Sequence, residues 1–149
     1  AKMRDEGKSI IEVKEYLEAE PQTAASRYRD NNTGGNIIFR PVTLLQMIKA
    51  IVYILTEDNT VTIENILNKY CQIDRNVSGN LWDKIIWNSV SKTMLVNNQI
   101  LLKYLFVYIY DSSVLKEKHL KDFYQRYELV KNIDRDSVQE HLNMLINNA

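Results

Sequence analysis

The stretch ILLKYLFVYIY, residues 100–110, decides what kind of fold this sequence can make. Its apolar residues run almost all the way round a helix instead of falling on one stripe. A helix of that kind is stable only where neighbours cover it on every side. Lys103 interrupts the run and Asp111 ends it, and eleven residues are too few to cross a bilayer, which needs about 20. The stretch is therefore expected as the central helix, from about Gln99 to Tyr110, of a bundle whose other members wrap it.

Working outward, those members can be placed from their caps and spacing. On the C-terminal side, Ser112 or Ser113 opens a helix with Leu115, His119, Phe123 and Tyr127 in register. Ser137, with Glu140 reciprocating, caps a last one carrying Val138, Leu142, Leu145 and Ile146. On the N-terminal side, LWDKIIWN (residues 81–88) reads as a short helix capped by Asn80, and SVSKTMLVNN as a turn or a hairpin arm. Thr62 caps a helix with Ile63, Ile66, Leu67 and Tyr70 on one face. Thr43, with Gln46 three residues on, is expected to open a helix running to about Thr56. Its stripe Leu44, Ile48, Ile51, Val52 and Leu55 is expected to be buried. Ser9 and Glu12 form another capping box ahead of Ile10, Val13 and Leu17, and Pro21 stops that helix. The expected organisation is an N-terminal helix in residues 1–20, readable as an appended element, a polar linker or mobile loop in 21–36, and a helical domain in 37–149. The fold class is mainly α: a compact multi-helix bundle of six or seven helices, with at most a short extended segment or hairpin.

Composition agrees with this and narrows the function. In 149 residues, 45% are apolar and 26% charged, the proportions of a globular chain. Four glycines and two prolines are few for a turn-rich β fold. The formal net charge of zero removes any global attraction to nucleic acid or a membrane surface, while leaving room for a local basic patch. The single cysteine, Cys71, forbids an intrachain disulfide and is expected as a buried structural thiol. The N-terminus lacks the apolar core of a signal peptide, so the expected location is cytoplasmic, with no membrane partner. Residue 1 is alanine, which fits an excised fragment.

Signatures of enzyme chemistry are missing from the sequence. Phosphate-binding glycine loops, the nucleophile elbow and the HExxH zinc motif are all absent. His119 and His141, the only histidines, lie on apolar helix stripes where a packed, hydrogen-bonded ring is expected. One cysteine and two histidines so far apart do not give zinc-ligand spacing. No catalytic site, cofactor or metal is expected within this chain. The aromatics, Trp82 and Trp87 among them, sit in dense Ile/Leu runs and read as core. Tyr28 differs: it stands between Arg27 and Arg29 in a polar loop, where an aromatic among cations can contact phosphates or another protein. A helix-turn-helix over residues 61–87 is disfavoured, because its second helix would offer Lys84 as its one basic residue.

Two stretches carry a family resemblance. GGNIIFRPVTLLQMIKAI, from Gly34, and LWDKIIWNSVSKTMLVNNQILLKYLFVYI, from Leu81, resemble two segments in the C-terminal part of DGQHR-domain, DndB-like proteins of bacterial DNA phosphorothioation systems. The likeness covers roughly residues 34–110. It implies a helical C-terminal region of a DNA-modification or defence protein, in a family with a regulator of modification genes. The family's namesake Asp-Gly-Gln-His-Arg motif does not occur in this chain, so nuclease-like or nucleotide chemistry is not carried over. Three readings follow. One is a non-enzymatic module binding DNA or a protein of the same system; another is the helical portion of a nuclease-like enzyme whose catalytic domain lies elsewhere; the third is a general adaptor bundle. The residues expected to contact nucleic acid or a partner are Arg27, Tyr28, Arg29 and Arg40. Arg40 is extended because Pro41 follows it, and it can meet a carboxylate such as Asp83, a carbonyl, or an external phosphate.

Overall fold

The structure, a computed structural model, describes residue 30 and residues 32–147. The Ser9 capping box and the Arg27–Tyr28–Arg29 cluster lie outside the described residues. Five α-helices follow one another: α1 (Pro41–Glu57), α2 (Ile63–Tyr70), α3 (Gln99–Tyr110), α4 (Glu117–Lys131) and α5 (Val138–Asn147). Between α2 and α3 a two-stranded antiparallel hairpin pairs β1 (Trp87–Asn88) with β2 (Thr93–Met94). The protein is mainly α, but six or seven helices overstates the count, which is five among the described residues.

The expected helix at residues 81–88 does not form, and its side chains explain why. Leu81, Trp82, Ile85 and Ile86 would share one face of a helix, but Trp87 is buried with them and would fall on the other side of a straight one. Lys84 takes a left-handed backbone, φ 64°, and its N–H donates forward to the Trp87 carbonyl at 2.8 Å. The chain thus doubles back and drives both tryptophans into the core. Trp82 Nε1 donates to the Asp74 carbonyl at 2.7 Å, so the buried indole keeps its hydrogen bond. With no second helix here, the helix-turn-helix arrangement is absent.

Helix α3 is the hub. Leu101, Leu102 and every residue from Tyr104 to Ile109 are buried. Helix α1 packs most extensively against it, α4 and α2 also pack on it, and α5 packs on α4. The buried Tyr70 hydroxyl of α2 donates to the Phe106 carbonyl of α3 at 3.0 Å, and burial pushes the phenol pKa up.

Local rules set most helix ends. Thr62 caps α2, accepting from the Asn65 N–H at 3.2 Å. Helix α1 begins two residues before the expected Thr43 cap, with Pro41 in its first turn, where a missing N–H costs nothing. Helix α4 begins at Glu117, not at Ser112 or Ser113. The Asp111 carboxylate accepts from the N–H and hydroxyl of Ser113, which shapes a 3-10 turn over Ser112–Val114 before the chain extends at Leu115. No helix of the described residues is long and apolar enough to cross a membrane.

Candidate functional site

The approach to α1 is built as a clamp. Gly34 has φ 76°, and a Cβ there would run into the Val77 side chain, 2.8 Å from its Cβ, and lie 3.0 Å from the Trp87 ring. Only glycine fits both demands. The Gly35 carbonyl accepts from the Val77 N–H at 2.8 Å, and the Ile37 N–H donates to the Arg75 carbonyl at 2.9 Å. Arg40 then turns back along the chain. Its Nε and Nη2 donate to the Gly34 carbonyl at 2.8 and 2.6 Å. The guanidinium thus reaches back to the chain ahead of α1, whose N-terminal dipole end repels a cation.

The expected acidic partner, Asp83, stands elsewhere, beside Lys131. Lys131, the last residue of α4, is 9% exposed, and its ammonium donates to the carbonyls of Asn80 at 2.8 Å, Asp83 at 2.7 Å and, more weakly, Leu81 at 3.4 Å. Burial lowers its pKa to about 8 despite the opposing pull of the Asp83 charge. A cavity of about 250 Å³ opens next to it, bordered by Asp83, Lys84, His141 and Met144 among others. One Asp83 carboxylate oxygen is buried without a hydrogen-bond partner among the described residues. All three ammonium hydrogens already have carbonyl acceptors, so Lys131 is spent on holding the 80–83 bend against the end of α4. It is not poised as a nucleophile.

Each histidine is tied to a tyrosine. Tyr53 Oη lies 2.7 Å from His119 Nδ1 and also accepts the Lys116 N–H at 3.0 Å, which satisfies one orphan donor at the start of α4. Tyr127 Oη lies 2.8 Å from His141 Nδ1. Burial, and secondarily the nearby Lys131 charge, hold the His141 pKa below the usual histidine value. Among the described residues no group of three or more His, Cys, Asp or Glu is gathered to hold a metal ion. Cys71, expected to be buried, is exposed just past the end of α2.

The feature that sequence reasoning placed wrongly is the face of α1. The stripe expected in the core is turned largely outward: Leu44, Ile48 and Val52 are 38, 50 and 58% exposed, and Leu45 beside them is 47% exposed. Ile51 and Leu55 are half-buried. Against α3 the helix sets Thr43, Gln46, Met47, Ala50 and Ile54. Gln46 keeps its amide satisfied by donating to Gln99 Oε1 at 3.1 Å, while the Thr43 hydroxyl is buried with no hydrogen-bond partner among the described residues. At about 100° per residue, Leu44, Ile48, Val52 and Leu45 fall within an arc of about 100° on the side of the helix away from the buried one. Two polar side chains, Thr43 and Gln46, thus share the inner face with Met47, Ala50 and Ile54, while four large aliphatics remain on the outer one. A scan against protein-family models finds no match to this chain, and neither a search of curated proteins nor one of solved structures finds any.

Proposed function

We propose that this chain is a non-enzymatic helical module of a DNA-modification or defence-associated protein, and that it works by binding a protein partner of the same system. The outer face of α1 receives an amphipathic helix of that partner. The observation that carries this is the aliphatic outer face of α1. Four large aliphatics stay about half exposed on one helix, each forgoing on the order of 1 kcal/mol of burial. Contiguous apolar surface of this sort marks an interaction site. Its width suits the i, i+4 and i+8 spacing by which a helix docks another helix. Protein is favoured over DNA because Arg40, the candidate phosphate contact that is described, is already committed to the Gly34 carbonyl. The link to a modification or defence system rests on the resemblance of the two stretches from Gly34 and Leu81.

The test is the double substitution I48D/V52D in the full chain, with co-purified proteins and DNA binding both measured. The expected result is loss of a stoichiometric partner protein encoded with this one, at an unchanged melting temperature. A DNA complex whose affinity falls steeply with salt, and which ignores both substitutions, would assign the module to nucleic acid instead.

A further inference from the structure

We infer that the cavity between the 80–84 bend, the end of α4 and helix α5 is a binding site for a small hydroxycarboxylate. This goes beyond the α1 reading and does not depend on it: among the described residues that border the cavity, none belongs to α1. At about 250 Å³ the space falls below the roughly 300–1,000 Å³ of pockets for drug-sized ligands, so it selects a small molecule.

The acceptor in this site is Asp83. Its N–H donates to the Gly79 carbonyl at 3.2 Å, and its own carbonyl accepts from the Lys131 ammonium at 2.7 Å. The backbone under the carboxylate is thus pinned from both sides. Among the described residues the carboxylate accepts no hydrogen bond, and one of its oxygens is buried. That leaves the other oxygen, on a side chain bordering the cavity, to accept a hydrogen from whatever enters.

The facing donor is His141. Tyr127 is fully buried, and its hydroxyl meets His141 Nδ1 at 2.8 Å. An undonated buried O–H is costly, so the hydroxyl donates and Nδ1 accepts. The ring proton then sits on Nε2, and a pKa held below the usual histidine value keeps the ring neutral at neutral pH. His141 therefore offers one N–H to the cavity that it borders.

Charge decides the rest. Lys84 and Lys131 border the cavity against the single carboxylate of Asp83, so the lining carries a net positive charge. Lys131 has spent its hydrogens on carbonyls and attracts without touching, whereas Lys84 is exposed and free to reach a ligand at the mouth. An anion is favoured, and it needs a hydrogen for Asp83, which sulfate does not have. An ammonium donor or a metal ion would meet two like charges. A hydroxyl on a carboxylate satisfies all of these groups, with Met144 and Leu145 as the wall for its short carbon chain.

Isothermal titration calorimetry of the full chain at neutral pH, with lactate, propionate and lactamide in turn, tests this. Propionate lacks the hydroxyl and lactamide lacks the charge. Lactate should bind at least about tenfold more tightly than either. Asp83→Leu keeps the bulk of the side chain and removes the acceptor, so lactate and propionate should then bind alike. Lys84→Gln should weaken lactate several-fold and leave lactamide unchanged. The probe comparison on the unaltered chain and Lys84→Gln, at an exposed position, do not depend on Asp83→Leu folding. No lactate binding up to about 50 mM would overturn the inference. So would propionate or lactamide binding as well as lactate, or lactate binding that either substitution leaves unchanged.

Discussion

Replacing Lys131 with methionine tests the least expected contact in the molecule. The substitution keeps the aliphatic stem and removes the ammonium, leaving the carbonyls of Asn80 and Asp83 without their donors at 2.8 and 2.7 Å. Hydrogen bonds from a charged donor contribute about 1.5–3 kcal/mol each. Relief of the buried charge offsets part of that, since a fall in pKa from 10.5 to about 8 represents roughly 3 kcal/mol. At neutral pH the variant should therefore be less stable by about 1–3 kcal/mol, a drop in Tm of roughly 2–10 °C for a chain of this size. The pH dependence is the sharper signature. The folded pKa of about 8 lies below the unfolded 10.5, so between those values the unfolded chain binds a proton that the folded one does not. Stability contributed by this group must then rise with pH across that window. Urea unfolding of both proteins, followed by Trp82 and Trp87 fluorescence, gives the comparison directly, and other titrating groups cancel in the difference. The gap between wild type and K131M should widen by about 2 kcal/mol from pH 7.5 to 9.5. A gap that stays constant or narrows as pH rises would refute the depressed lysine and the reasoning built on it.

Other substitutions test other parts of the frame. Arg40→Ala should lower stability by about 1.5–3 kcal/mol in urea unfolding, because it removes a charged donor pair from the Gly34 carbonyl. Gly34→Ala should cost more than about 2 kcal/mol, since its positive φ and the Val77 side chain both oppose a methyl group. Thr43→Val should act in the opposite direction and stabilise by about 1 kcal/mol, because it replaces a buried unpaired hydroxyl with a methyl of the same shape. Calorimetry of these three variants suffices, and a Thr43→Val that lowers Tm would show that the hydroxyl has a partner.

Much of this was legible in the residues, for identifiable reasons. Helices α2 and α3 fall where caps and periodicity place them, because Thr62 has no competing role and the run at 99–110 is apolar almost all round. Of the hairpin, the second arm at Thr93–Met94 is one of two open readings of residues 89–98, while the first, Trp87–Asn88, falls in the stretch expected to be helical. The face of α1 was not legible, because that helix carries two separate apolar stripes. Leu44–Ile48–Val52 is the bulkier, yet Met47–Ala50–Ile54 is the one buried. Ala50 is the clue that was there to read, since a small residue lets α1 come close to α3. The 81–88 segment misled because its buried residues fit helical spacing while Lys84 adopts a backbone that only the tertiary fold selects. Lys131 gave no signal at all: its acceptors are backbone carbonyls some 50 positions away, and sequence does not display those. Of the candidate contacts, only Arg40 is among the described residues, and there the reach to a carbonyl was one of the alternatives open from its place before Pro41.

The two tyrosine–histidine pairs have a practical consequence. One joins α1 to α4 through Tyr53 and His119, the other α4 to α5 through Tyr127 and His141, and the chain has no third histidine. Imidazole ring resonances are well separated from most other proton NMR signals, so each seam of α4 carries its own label without any chemistry being added. Following the two signals during heating or titration tells which seam loosens first.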